Sequence, residues 1–235
     1  MRLRIKFRKY GPIRFIGHLD VMRFFQKALR RAQIDVTYTN GFSPHQIMAF
    51  AAPLGVGLTS NGEYMDIEVH SITSCEDVRK RLNEASVPGM EITSVKILPE
   101  NAGNAMASVA AASYTVRFRE GREPEMDIAS FLPDFLAREK IPVTKVTKKG
   151  TREIDLKRGI YHLAYKDGAF TMLVDASSGG NIKPIQIVEA ILSEGGETLK
   201  ENALLITREE VYTNAGTEEQ PKLVALDEVG SVSTL

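Results

Sequence analysis

Apolar and charged residues alternate over residues 2–9, with Leu3, Ile5 and Phe7 set against Arg4, Lys6 and Arg8. A two-residue period belongs to a strand with one buried face, so a strand with a basic outer face is expected, ended by Gly11-Pro12. Over 18–33 the period changes. Val21 or Met22, Phe25, Ala28 or Leu29 and Ala32 form one stripe, and Arg23, Lys27, Arg30 and Arg31 fall opposite. This predicts an amphipathic helix. A strand over 34–39 follows, then a Gly- and Pro-containing loop leading into a short strand. Alternation returns over 63–70, a helical stripe (Val78, Leu82, Ala85) over 75–85, and a strand over 90–98 closes the set. Strand, helix, strand, strand, helix, strand is the ferredoxin-like order, an antiparallel sheet with both helices on one face.

Beyond a small-residue stretch at 101–112 the order repeats. A strand over 113–119 and a helix over 127–138, with Ile128, Phe131, Leu132 and Phe135 inward, precede a basic hairpin, or one long bent strand, over 143–156. Two further strands, 159–165 and 169–176, meet across Lys166-Asp167-Gly168, a strong hairpin signal. A helix over 182–193 and a strand over 203–212 complete the series. The expected architecture is therefore α+β, with two ferredoxin-like (βαββαβ) domains at 1–100 and 113–212. The second carries an extra hairpin, and a loosely attached tail is expected over 213–235.

Composition narrows the function classes. Of 235 residues, 43% are hydrophobic and 26% charged, an ordinary globular balance. No apolar run approaches the roughly 20 residues of a membrane helix, so no membrane partner is expected. The first fifteen residues alternate charge with apolar side chains, unlike a signal peptide. A single cysteine, Cys75, is too few for a disulfide or a multi-cysteine metal site. A cytoplasmic location is the expectation. Net charge is zero, but residues 1–50 hold ten Lys/Arg against two Asp/Glu. A local basic surface attracts polyanions whatever the total.

Candidate chemistry concentrates there. His18-Leu19-Asp20 opens the first helix, Arg23, Lys27, Arg30 and Arg31 run along it, and GFSPH (41–45) ends in His45. Four cations on one helix face offer a track for nucleic-acid phosphates. Tyr38 and Phe42 lie near enough in sequence to stack on unpaired bases. His18, Asp20 and His45 are candidate acid–base residues for RNA cleavage. Because the chain has no HxH, HExxH or Cys/His pairing, neither a metal nor any other cofactor is expected. In the second half Lys148, Lys149 and Arg152 form a second basic candidate, and SSGGNIKP (177–184) reads as a helix start or an anion nest.

The run from Gly11 to Val69 also carries HLD (18–20), ALRRA (28–32), GFSPH (41–45), PLGVG (53–57) and EYMDIE (63–68). With KKGTREIDLK (148–157) and GGNIKP (179–184), it resembles the bacterial radical-SAM-linked protein family. Members of that family, a domain of unknown function, are fused to or encoded beside radical SAM proteins. The resemblance implies a radical SAM protein as partner. A radical SAM enzyme itself needs three cluster cysteines, typically CxxxCxxC, and this chain has one. The expected role is an RNA-binding accessory protein that presents a structured RNA, tRNA or rRNA, to that partner. A metal-independent RNA endonuclease or modifying enzyme using His18 or His45, and a protein-binding adaptor, are the alternatives.

Overall fold

A computed structural model describes residues 1–147, 150–217 and 219–232. The fold is mixed α+β, with a large, mostly antiparallel sheet and, among the described residues, five helices. In chain order the elements are β1 (Arg2–Lys9), α1 (His18–Arg31), β2 (Asp35–Val36), β3 (Met48–Phe50), β4 (Thr59–Ser71), α2 (Cys75–Glu84) and β5 (Met90–Ile97). There follow α3 (Ala105–Ser108), β6 (Ala111–Phe118), α4 (Ile128–Ala137), β7 (Pro142–Thr147), β8 (Gly150–Asp155), β9 (Ile160–Lys166) and β10 (Ala169–Asp175). The last are α5 (Pro184–Glu194), β11 (Leu204–Asn214) and β12 (Leu223–Ala225). No described helix is long and apolar enough to cross a membrane.

The chain divides into two compact units, Met1–Ala110 with Arg208–Leu235, and Ala111–Thr207. In the first, β1 lies antiparallel between β4 and β5, with Leu3 opposite Ile67 and Ile97. Leu3, Ile5 and Phe7 face a core built with Val21, Phe25 and Leu29 of α1 and Val78 and Leu82 of α2. Both helices therefore pack on one sheet face. Phe7, Phe25 and Phe50 meet edge-on or tilted, with ring centres 4.7–6.3 Å apart. Just past the end of α1 stands Gln33, whose φ is +52°. The N–H groups of Gln33 and Ile34 then donate to the Arg30 and Leu29 carbonyls, a left-handed helix stop.

Strand β4 is longer than the expected 63–70 segment. Residues Met65–Ile67 pair with β3, and Val69–Ser71 with the short β2. Most of the expected 34–39 strand is instead one arm of a loop closed by a bridge from Tyr38 to Gln46. The described residues after 213, where a loose tail is expected, are held in the first unit. β12 pairs with β11, Leu226 is fully buried, and Ser231 exchanges both backbone hydrogen bonds with Ile97. The chain passes from the first unit to the second after Ala110, between the expected domains at 1–100 and 113–212, and returns to the first unit after Thr207.

In the second unit β10 lies antiparallel between β6 and β9. The β9–β10 turn is Asp167-Gly168 at φ +51° and +72°, the doubly positive conformation that the Lys-Asp-Gly sequence predicts. β7 and β8 form a separate hairpin. Phe135 of α4, Ile187 and Ile191 of α5 and Phe170 of β10 are fully buried in this unit's core.

Candidate nucleic-acid interface

Helix α1 buries Val21, Phe25, Ala28 and Leu29 and exposes Arg23, Lys27, Arg30 and Arg31. The steps of three and four residues that separate Arg23, Lys27 and Arg30 keep them on one face. Arg23 pairs with Asp20 at 3.4 Å, both well exposed, a contact that contributes little. Arg30 Nε donates to the Gln26 carbonyl and Arg31 Nη2 to the Ala85 carbonyl. Lys27 makes no hydrogen bond or ion pair among the described residues.

The 37–47 loop stands beside the second half of this helix. Its arms are joined by Thr39 N–H to the His45 carbonyl and Ile47 N–H to the Thr37 carbonyl, both 2.9 Å. Gly41, at φ +115°, lets the tip turn, and the Phe42 ring there is fully exposed. His45 Nδ1 lies 3.1 Å from Thr39 Oγ1, which also accepts the His45 backbone N–H. Gln26 and Arg30 of α1, with Tyr38, Pro44, His45 and Gln46 of the loop, enclose a groove of about 170 Å³.

Arg30 and His45 are therefore brought together, whereas His18 is placed elsewhere. At the first turn of α1, its half-buried ring stands edge-on to Phe50 at 5.1 Å, the outer member of the aromatic cluster. A rise of about 1.5 Å per residue puts Arg30 about 18 Å further along the helix axis. Asp20 turns to Arg23. Lys148 and Lys149 lie outside the described residues, as does the side chain of Arg152. Among the described residues no group of three His, Cys, Asp or Glu side chains is placed to hold a metal ion.

The GGNIKP stretch has a local structural use. Ser177 N–H donates to Asp175 Oδ1, Ile182 N–H to the Asp175 carbonyl, and a Cβ on Gly180 would stand 2.0 Å from Asp175 Oδ2. The anion that this nest holds is the protein's own carboxylate.

Sequence reading missed the buried and half-buried charge pairing around β1. Arg4 is 1% exposed and grips both Asp66 oxygens at 2.8 and 2.9 Å, while its Nη1 donates to the Leu226 carbonyl. Lys6 pairs with Glu210 and Asp227, which also accept from the Tyr64 hydroxyl. Arg208 reaches Glu63 at 3.2 Å and the Ala52 carbonyl. Lys9, equally buried, donates to the Ile16 carbonyl. Burial pushes the Glu63 carboxyl above its usual range despite Arg208, and pulls the Lys9 ammonium below its own despite Glu63. Only the polar alternation of β1 hinted at this. The partners at 208–227 are invisible to local pattern.

A family model described as an uncharacterized protein conserved in bacteria (DUF2344) matches residues 2–184, which include every residue of the groove. No curated protein matches the chain.

Proposed function

From the premise that the chain belongs to this DUF2344 family of uncharacterized bacterial proteins, we propose that it binds RNA and presents it to a partner enzyme. The observation that carries the reading is the distribution of exposed cations. Arg4, Lys6 and Arg8 of β1 are consumed in ion pairs with Asp66, Glu210 and Glu91. The exposed cations of the first fifty residues are thereby concentrated on α1, beside an exposed Tyr38 and a fully exposed Phe42. Cations for phosphates next to rings for bases are the two components of single-strand recognition. A structured RNA such as tRNA or rRNA, offering a loop of unpaired bases, fits that combination.

The radical SAM partner in this proposal rests on the sequence resemblance, and the single cysteine assigns the cluster to that partner. The cytoplasm is the compartment in which such an RNA is met. The ferredoxin-like reading of both units is supported by strand order: β5-β1-β4 with β2 and β3 beyond, and the 204–207 end of β11, then β6-β10-β9.

A protein-binding adaptor is the second reading, favoured by exposed Phe15, Leu19 and Val56 around the start of α1. RNA cleavage by paired histidines has less support, since His18 and His45 take opposite ends of the helix. Crosslinking of RNA to the full chain in bacterial cells, followed by sequencing, tests the proposal. Recovery of defined tRNA or rRNA segments, lost in a Lys27→Ala/Arg30→Ala variant, is expected. Recovery of none above background, with capture of a protein alone, would favour the adaptor.

A further inference from the structure

We propose that the groove between α1 and the 37–47 loop is a subsite for one unpaired nucleobase bearing an exocyclic amine. Arg30 holds the adjoining phosphate. The assignment rests on the RNA-binding reading and adds to it the chemistry of the bound residue.

The size of the groove sets the first limit. At about 170 Å³ it is smaller than the roughly 300 Å³ at which pockets for whole small molecules begin, and suits a single flat ring system. Its walls supply the surfaces such a ring needs. Tyr38 lines it with 45% of its surface exposed, and the Pro44 ring lines it too. An aromatic face such as that of Tyr38 stacks on any base.

Selectivity comes from Gln46. This side chain lines the groove yet is only 6% exposed. Its Nε2 donates to the Tyr38 hydroxyl at 3.4 Å, and its buried Oε1 has no hydrogen-bond partner among the described residues. An unpaired buried acceptor is unfavourable, and a ligand N–H that reaches it removes the penalty. The amino groups of cytosine, adenine and guanine present such donors. Uracil offers only a ring N–H flanked by two carbonyls, whose oxygens repel an acceptor.

The remaining groups fix the backbone. Arg30 Nε is spent on the Gln26 carbonyl, which orients the guanidinium and leaves its terminal nitrogens for a phosphate. Thr39 anchors the His45 ring through Nδ1, and Nε2 has no partner among the described residues. Phe42, at the loop tip, is placed to stack on the next base.

The experiment uses the full chain and two fluorescent RNA probes of about ten nucleotides, an oligouridine and the same oligomer with one central cytidine. The wild type is expected to bind the cytidine probe about fivefold more tightly, the share of one hydrogen bond. Gln46→Leu should erase that preference and leave the salt dependence of binding unchanged. Exposed Tyr38, replaced by Ala, should weaken both probes about tenfold and needs no refolding of the core. Equal affinity of the wild type for the two probes, with salt-dependent binding intact, overturns the subsite and leaves the RNA reading standing. Absence of salt-dependent binding to either probe overturns both. A preference that persists in Gln46→Leu also overturns the assignment.

Discussion

Asp66 sits in the middle of β4 with both carboxylate oxygens on a buried guanidinium. Removing one member of such a pair strands the other charge, so Asp66→Ala is expected to cost about 3–5 kcal/mol in urea unfolding. Glu63 behaves differently, because burial outweighs Arg208 and raises its pKa above the ordinary 4.5. The native state then holds a proton that the unfolded chain releases, so this group's contribution is full at low pH and is lost as pH rises through the raised value. Relative to Glu63→Gln, the wild type should therefore lose stability as pH climbs from about 4.5 toward neutrality. Thermal melts of the two proteins across that range check it, and parallel profiles would contradict the assignment. Phe42 makes the opposite prediction. A ring fully exposed at a loop tip holds no core together, so Phe42→Ala should leave the melting temperature unchanged and weaken RNA binding by about 1–3 kcal/mol.

At the scale of elements, local signals were legible wherever the chain solves its own problem. The three-to-four-residue period of α1, the Lys-Asp-Gly turn and the alternation of β1 each appear where the sequence places them. Ser74, which accepts the Asp77 N–H, caps α2, and Ser74→Ala should cost about 1 kcal/mol by thermal denaturation. What stayed illegible depends on distance along the chain. The outer face of β1 reads as solvent-exposed until Glu210, Asp227 and Leu226 arrive from some 200 residues downstream. That covering also holds the described residues after 213 against the first unit. In the site, the helix cations and aromatic loop could be read from the sequence, but Gln46 could not. An isolated Gln carries no pattern, and its importance follows only from burial beside a groove.

For the whole molecule, the zero net charge resolves into internal pairing. The acidic residues that balance the basic N-terminal segment include Asp66, Glu91 and Glu210, which pair with β1 and leave the exposed cations of that segment on α1. A polyanion should therefore feel α1 rather than the protein's total charge. Binding to a structured RNA that uses Arg23, Lys27, Arg30 and Arg31 releases about 0.7 counterions per single-stranded contact, giving a log–log salt slope of roughly −3. The most direct measurement is filter binding of bacterial tRNA and rRNA fragments across a salt series, for the wild type and for Arg23→Ala/Lys27→Ala. A slope of roughly −3 that flattens by about 1.4 in the double variant, with unfolding unchanged, is the predicted result. An identical slope in both proteins would contradict the account, by showing that RNA does not bind on the α1 face.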